Sequence, residues 1–315
     1  APWCTLLLWQ QSIDVALSRG QKKRAFSSRH QQQPTSWGAP AANDAWYDRL
    51  ADTILGSGHR SPYAAFQPPV DMRADMWYRG SLTYHRDLAL EMVRHAGTDG
   101  YIIEFGSFIG NSALAWHRAI RRLQYGTVVV CVDTWLGEAN FWRMKGKLLG
   151  PQGLDGQPRL YEAFMLNTRN ASRHILPLRM AADSALRYLA ELIAKKGLPR
   201  PAVVYVDTAH TYPETVLELR AAFELLPPGG FLVGDDFRDQ WAEVQQAVSE
   251  FVTWAGPSAF DLPGIYAHTW PPRPMRMVQV LDGSTKPGVE ESPLLVRLPG
   301  QWVLRKASRV GNLSQ

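Results

Sequence analysis

Residues 101–110 read YIIEFGSFIG and carry the most informative pattern of the chain. The first half, YIIEF, is a short apolar run with β-branched residues, which is typical of a strand buried on both faces of a sheet. The glycines of the second half, Gly106 and Gly110, indicate a tight turn into a helix that starts near Asn111 and Ser112. Open α/β sheets bind ligands at the carboxyl ends of their strands, so this turn is a candidate binding site.

Three further pieces of the sequence place an acid after a strand-like run. Asp133 follows TVVVCV, Asp207 opens the motif DTAH after AVVYV, and the pair Asp235 and Asp236 follows FLVG. Each acid is therefore expected at the carboxyl end of its strand. The acids of neighbouring strands are expected to converge.

Strand-like runs alternate with helix-period stretches from residue 100 onward. This alternation predicts an α/β fold, a doubly wound Rossmann-like sheet with parallel strands in the order 3-2-1-4-5. The end of the chain has strand-like runs separated by Asp-Gly and Pro-Gly turns, which predict an antiparallel addition. The predicted parallel strands are 101–105, 127–132, 174–178, 202–206 and 231–233, and the terminal runs are 275–281, 294–298 and 301–305.

The first hundred residues contain a basic tail and two helical patterns. The formal net charge of the 315-residue chain is +5, but residues 1–42 hold five basic residues and one acid, so the rest of the chain is nearly neutral. Residues 45–55 and 82–95 show helical spacing of apolar side chains. We interpret residues 1–42 as a disordered basic leader, 43–98 as an N-terminal helical addition and 99–310 as the sheet domain.

Cysteine content and hydropathy restrict the environment of the protein. Both cysteines, Cys4 and Cys131, lie in apolar runs, which favours structural thiols in a reducing, intracellular compartment. The apolar runs fall short of the roughly 20 residues needed to span a bilayer, so a soluble protein is predicted, with no membrane partner. A cytoplasmic location is expected, and organellar targeting by the leader is the alternative.

The turn after the first strand favours a nucleoside cofactor that has no pyrophosphate. A dinucleotide fingerprint requires glycine where this chain has Phe108, whose side chain would obstruct a pyrophosphate. S-adenosylmethionine has no phosphate, and its amino-acid end needs close backbone approach and a nearby acid, as Gly106 and Glu104 would provide. A plain strand-to-helix turn explains the same residues about equally well.

Two further positions are candidates for contacts to the nucleoside. Asp133 ends the second strand, where a carboxylate accepts both hydroxyls of a ribose; the cap of the next helix is a less favoured interpretation. Asp183 and Ser184 begin the helix after the third strand and would contact an adenine amine or, equally well, cap that helix.

Asp207, Asp235 and Asp236 are candidates for a magnesium site. Strands 4 and 5 are neighbours in the predicted order, and converging carboxylates repel each other unless a cation or ligand lies between them. Oxygen ligands suit Mg²⁺. In the alternative, Asp207 alone serves the site and the pair caps a helix. His210 follows Asp207 on the same loop and would act as a general base, unless it is a surface histidine.

Together, the motifs at residues 104–110, 132–137, 206–212 and 228–236 resemble those of class I S-adenosylmethionine-dependent methyltransferases, in the branch of macrocin-type, metal-dependent small-molecule O-methyltransferases. The resemblance implies a seven-stranded, mostly parallel sheet with an antiparallel last strand, Mg²⁺ at the three aspartates, and His210 as the catalytic base beside Asp207. Thr208 departs from the small residue usual there. The candidate cofactor-binding residues are Glu104, Gly106, Ser107, Gly110, Ser112, Asp133, Thr134, Trp135, Asp183 and Ser184.

The sequence therefore predicts an enzyme that moves a methyl group from S-adenosylmethionine to a hydroxyl oxygen of a small molecule, such as a sugar or natural product. Residues 135–161 are long enough to form a lid over this acceptor. The aromatic residues of this segment, Trp135, Phe141 and Trp142, would contact the acceptor or, as is more common, anchor the loop.

Two other functions stay open at this point. The first is a binding protein that keeps the sheet but has lost activity. The second is a nucleic-acid methyltransferase that uses Arg118, Arg121 and Arg122 with the basic leader, although this cluster is expected to face solvent and the body has no basic stripe. A nucleic-acid partner is therefore disfavoured, and a homo-oligomer is left open.

Overall fold

Parallel strands form the centre of the sheet. In the computed structural model, β1 (Tyr101–Phe105) lies between β2 (Val128–Asp133) and β4 (Val203–Val206), β3 (Ile175–Arg179) flanks β2, and β5 (Phe231–Phe237) flanks β4. All four of these pairings are parallel. The order 3-2-1-4-5 is therefore confirmed. The structure describes residues 41–56, 58, 61–72, 86–138, 142, 156–208, 210–261, 296–298 and 300–308.

Antiparallel strands extend the sheet beyond β5. β8 (Gly300–Lys306) pairs with β5, and the short strands β6 (Phe260–Asp261) and β7 (Val296–Leu298) pair with β8. Within the described residues, the main path of the sheet contains seven strands, with β7 attached beside it. The predicted antiparallel strand at 301–305 is confirmed, whereas the predicted run 275–281 lies outside the described residues.

Helices cover both faces of the sheet because the side chains of each strand alternate between the faces. Ile103 of β1 packs in one apolar cluster with Leu50 and Leu219, and Ile102 packs in the other with Met92 and Trp116. This is the predicted doubly wound arrangement. The helices described are α1 (Ala41–Leu55), α2 (Pro62–Ala65), α3 (Arg86–Ala96), α4 (Asn111–Leu123), α5 (Leu160–Thr168), α6 (Ala182–Lys196), α7 (Tyr212–Leu225) and α8 (Ala242–Ala255).

The end of β5 differs from the prediction. The sequence places the strand at 231–233 with the acids after it, but β5 continues to Phe237, so that Asp235 and Asp236 lie within the strand. The extension forms because β8 pairs with β5 as far as Phe237 and Gly300, with a register shift after Gly234. This partner strand is remote in sequence, so the local pattern did not reveal the extension.

The N-terminal helices pack on the same two apolar layers. The helix predicted at 45–55 begins earlier, at Ala41, and the helix predicted at 82–95 is described from Arg86 to Ala96. The described residues all belong to one compact unit, residues 40–315. No helix in the described segments has both the length and the apolarity to cross a bilayer. The predicted domain boundaries stay predictions.

Candidate functional site

The glycine turn after β1 lies against the loop after β4. Gly106 has φ +84°, and a Cβ at this position would come 1.7 Å from the carbonyl oxygen of Asp207. Gly110 has φ +88°, and its Cβ would lie 2.6 Å from Cγ2 of Thr168. Both positions combine a left-handed backbone with a close neighbour, so only glycine is compatible with the turn. The carboxyl ends of β1 and β4 are thereby in direct contact.

Asp133 joins this turn to the loop after β2. Its Oδ2 accepts the backbone N–H of Phe108 at 2.8 Å, and its Oδ1 accepts the backbone N–H of Trp135 at 2.7 Å. Burial raises the pKa of Asp133, and these hydrogen bonds act in the opposite direction. The residue as a whole is partly exposed, and each carboxyl oxygen retains a second lone pair for a ligand.

Trp135 anchors its loop. The side chain is 1% exposed and packs against Tyr161 and Phe164, and its indole N–H donates to the carbonyl of Phe108 at 2.7 Å. These contacts favour a role for Trp135 in anchoring its loop over an exposed contact with the acceptor. Trp142 is exposed and donates to the carbonyl of Leu136 at 3.0 Å, and Phe141 lies outside the described residues. Thr134 accepts the N–H of Leu136 at 3.2 Å through its hydroxyl.

Glu104 lies inside the protein below the glycine turn. It has no exposed surface, and its Oε2 accepts the indole N–H of Trp116 at 2.6 Å. Burial raises its pKa to about 7, whereas polar contacts with Ser107, Trp116 and Ser112 oppose this rise. In this structure Glu104 supports the turn from beneath; its predicted contact with a cofactor stays a prediction, as do those of Ser107 and Ser112, which are also buried.

Asp183 and Ser184 contact each other at the start of α6. The Ser184 hydroxyl donates to Asp183 at 3.3 Å, and Asp183 pairs with Arg187 at 3.3 Å. Both side chains are exposed. Neither caps the helix, because α6 begins at Ala182 with Ala181 as its cap residue. The predicted adenine contact stays a prediction.

His210 brings several carboxylates together at the ends of β4 and β5. Its Nε2 lies 2.6 Å from Oδ2 of Asp236 and 3.4 Å from Oδ1 of Asp207, and its Nδ1 lies 3.2 Å from Oε2 of Glu138. The ring stacks on Trp241 at 4.4 Å between centroids. His210 and Asp236 both have left-handed backbones, with φ of 58° and 59°. We call Asp207, His210 and Asp236 the acid cluster.

The charge of His210 follows from these neighbours. Burial lowers its pKa, but hydrogen bonds to Asp207, Asp236 and Glu138 outweigh burial and raise the pKa to about 12. The imidazole is therefore a cation at neutral pH in this arrangement. Arg238 adds a second positive charge, 3.2 Å from Asp236 and 3.3 Å from Asp235.

Asp235 faces a small pocket beside the acid cluster. Its Oδ1 accepts the backbone N–H of Asp236 at 2.8 Å. Burial raises its pKa to about 8, and the charges of Asp207 and Asp236 add to this rise. The pocket is lined by Val206, Asp207, Thr208, His210, Thr215, Asp235, Val244 and Trp302.

The acid cluster is suited to a cation in part. One ligand atom from each of Asp207, His210 and Asp236 lies within 4.8 Å of the other two. The carboxylate oxygens are ligands that Mg²⁺ accepts, and an imidazole nitrogen suits it less well. The sequence predicted Asp235 in this set; within the described residues the structure has His210 in its place.

Three contributors to the site were missed from the sequence. Glu138 lies in a loop with no pattern to single it out, and Trp241, directly before α8, has the spacing of an ordinary core position of that helix. Trp302 comes from β8, which reaches the site only by pairing with β5. Nothing in the local sequence distinguishes these residues from structural ones.

The mostly parallel sheet in the order 3-2-1-4-5, with antiparallel strands beyond β5 and ligand-type residues at its carboxyl ends, has a Rossmann-like arrangement. Residues 103–237 match a family model described as a methyltransferase domain. This match supports an S-adenosylmethionine-dependent methyltransferase. It does not distinguish the macrocin-type branch, which stays a prediction.

Solved structures of methyltransferases are similar to the chain at low sequence identity. Calicheamicin methyltransferase CalS11 is 18% identical, over 89% of this chain and 99% of that chain, with a TM-score of 0.44. The O-methyltransferase NovP is 12% identical, over 84% and 99%, with a TM-score of 0.45. A putative O-methyltransferase from Klebsiella pneumoniae is 16% identical, over 79% and 88%, with a TM-score of 0.39. No curated protein matches the chain.

Proposed function

We propose that the chain transfers the sulfonium methyl group of S-adenosylmethionine to a hydroxyl oxygen of a small molecule, with the assistance of Mg²⁺. The observation that carries this proposal is the contact between Gly106 and the backbone of Asp207. Because of this contact, the turn that would hold the cofactor lies directly beside the acid cluster that would hold the acceptor. A methyl donor and a hydroxyl held on either side of this contact would be close enough for in-line transfer.

The cofactor would lie across the ends of β1 and β2. Its amino-acid end would lie against the backbone of the glycine turn, and the carboxyl group of Asp133 would accept hydrogen bonds from the ribose hydroxyls. Because Asp133 also holds the backbone of Phe108 and Trp135, it fixes the two loops that would enclose the nucleoside. Trp135, buried beneath, would keep this wall rigid.

The acceptor hydroxyl would lie at the acid cluster. When bound by Asp207 and Asp236, Mg²⁺ would supply Lewis acidity to the hydroxyl. Binding of Mg²⁺ by Asp207 and Asp236 would neutralise the carboxylates that keep His210 protonated, so that the imidazole would lose its proton to solvent and could then receive that of the hydroxyl at Nε2. That atom contacts Asp236 and Asp207 in this structure, so the acceptor has to replace one of these contacts for His210 to act as the base.

Two measurements test the proposal. Isothermal titration calorimetry should show that the protein binds S-adenosylhomocysteine, and incubation of a cell extract with S-adenosylmethionine and Mg²⁺ should yield compounds with one added methyl mass. No binding of S-adenosylhomocysteine would remove the cofactor from the proposal. Turnover of any acceptor would exclude the inactive binding protein, and methylation confined to RNA or DNA would favour the nucleic-acid alternative.

Asp236→Asn tests the acid cluster, with Asp239→Asn as its matched control. Asp239 is exposed and follows β5 by only two residues, so the control makes the same chemical change outside the cluster. Asp236→Asn should lower kcat about 100-fold and leave binding of S-adenosylhomocysteine unchanged, whereas Asp239→Asn should retain full turnover. Equal turnover by both variants, with a chelator present, would remove the metal from the proposal.

A further inference from the structure

Glu218 is a buried carboxyl group for which the proposed function has no role. It lies on α7 and is 8% exposed. Burial raises its pKa to about 7, and the carboxylates of Glu214 and Asp183 add to this rise. Within the described part of the chain, its one hydrogen bond comes from the hydroxyl of Thr208. No ion pair of Glu218 is present among the described residues, and a buried carboxyl group is costly, so its placement requires a reason.

Thr208 occupies a central point of the candidate site. It lies between Asp207 and His210 in sequence, and its Cα is 3.2 Å from the position that a Cβ on Gly106 would occupy. The loop after β4, called the β4 loop below, therefore touches the glycine turn on one side. On the other side it carries Asp207 and His210 of the acid cluster. The Thr208 hydroxyl ties this loop to α7 through Glu218.

We propose that Glu218 is a positioning residue, which holds the β4 loop through Thr208 and so fixes Asp207 and His210 relative to the glycine turn. This inference rests on the proposed function, because only methyl transfer at this site would require Asp207 and His210 to be held in these positions. Glycine or alanine at 208 could not make this contact, because neither has a hydroxyl group. The pair thus gives a structural purpose to the departure of Thr208 from the family pattern.

Matched variants distinguish the loss of the Thr208 hydroxyl from the general effect of substituting a buried residue. Thr208→Val removes the hydroxyl and keeps the shape, Thr208→Ser keeps the hydroxyl, and Glu218→Leu removes the acceptor. Thr127→Val is the control, since Thr127 is fully buried before β2, at the opposite end of the strands, where its hydroxyl donates to the carbonyl of Gly97 at 2.6 Å. The readouts are amide hydrogen exchange of residues 206–212 and affinity for Mn²⁺ and for S-adenosylhomocysteine.

Thr208→Val and Glu218→Leu should each accelerate exchange of residues 206–212 about tenfold and weaken Mn²⁺ binding about tenfold. The double variant should add nothing further, because both changes break one contact. Thr208→Ser should restore both values, and Thr127→Val should leave them unchanged. With an acceptor from the extract screen, kcat should fall while KM for S-adenosylmethionine is retained.

Exchange in Thr208→Val that equals that of the unmodified protein would overturn the inference, whether or not Mn²⁺ binds. An equal effect of Thr127→Val would also overturn it, because the loss of any buried hydroxyl would then suffice. Failure of the unmodified protein to bind S-adenosylhomocysteine would instead overturn the proposed function. In that event the exchange comparison still decides the role of Glu218 in holding the loop.

Discussion

Gly106 is the residue on which the geometry of the site depends most directly. Its left-handed backbone and its contact with the Asp207 carbonyl both exclude a side chain. Gly106→Ala should therefore lower the free energy of unfolding by about 3 kcal/mol or more, through strain and a backbone clash. The measurement is urea denaturation followed by circular dichroism.

Gly197→Ala is the matched control for this prediction. Gly197 has φ +70° with nothing within 4 Å of a Cβ, so the substitution costs only the left-handed backbone, about 1 kcal/mol. Equal losses in the two variants would show that the β4 loop moves away freely, and that the contact does not hold the site together.

Glu104 predicts a pH dependence of stability. Its pKa rises from 4.5 to about 7 on folding, mainly through burial, so the folded protein keeps a proton that the unfolded chain has lost. Between these two values, stability should fall as pH rises, by about 3 kcal/mol for this group, and level off above. Glu104→Gln keeps an acceptor for Trp116 and should lack this component.

The measurement is urea denaturation of both proteins at several pH values between 4 and 8. The difference between them isolates Glu104 from Asp235 and Glu218, whose raised pKa values act in the same direction. Parallel stability curves for the two proteins would contradict a buried, protonated Glu104.

At the scale of elements, the packing of β5 on β8 sets the position of the acids. A Cβ on Gly234 would lie 2.4 Å from Cζ2 of Trp302 and 2.6 Å from the carbonyl oxygen of Val206. Gly234→Ala should therefore destabilise the protein by about 2–3 kcal/mol through overpacking, as measured by thermal denaturation. Adding Trp302→Phe to Gly234→Ala should recover part of the lost stability. If it recovers none, the clash is with the carbonyl of Val206 alone.

The sequence predicted most elements of the sheet because each strand carries its own signal. Buried parallel strands such as β1 and β4 are continuous apolar runs, and Gly106 marks the turn that follows. The end of β5 was missed because pairing with β8, remote in sequence, decides it. Local pattern is informative only where the interaction that fixes an element is itself local.

The same distinction applies to the candidate site. Asp207 and His210 follow β4, and Asp236 lies near the end of β5, so the order of the sheet predicted their convergence, and the structure brings them together. Glu138 reaches His210 from a loop, and Glu218 reaches Thr208 from the buried face of a helix. Both contacts depend on the angle at which an element packs, which periodicity does not encode.

At the scale of the whole molecule, the proposed cofactor site is assembled from segments that only the folded chain brings together. Asp133 shows this directly, because it binds the backbone of Phe108 from one loop and of Trp135 from another. A ligand that binds such a site binds the folded state alone. Its binding free energy therefore adds to the stability of the whole domain.

This linkage gives a final prediction that needs no acceptor. S-adenosylhomocysteine at 100 times its Kd should stabilise the protein by about 2.7 kcal/mol and raise Tm by about 5–10 °C, measured by calorimetric scanning. Asp133→Asn should lose most of this shift, because an amide replaces one acceptor of the ribose hydroxyls. If Asp183→Asn keeps the full Tm shift, Asp183 serves only the structure of α6. If the Tm shift is lost, Asp183 contacts the adenine of the cofactor. A full shift in Asp133→Asn would place the cofactor elsewhere on the sheet.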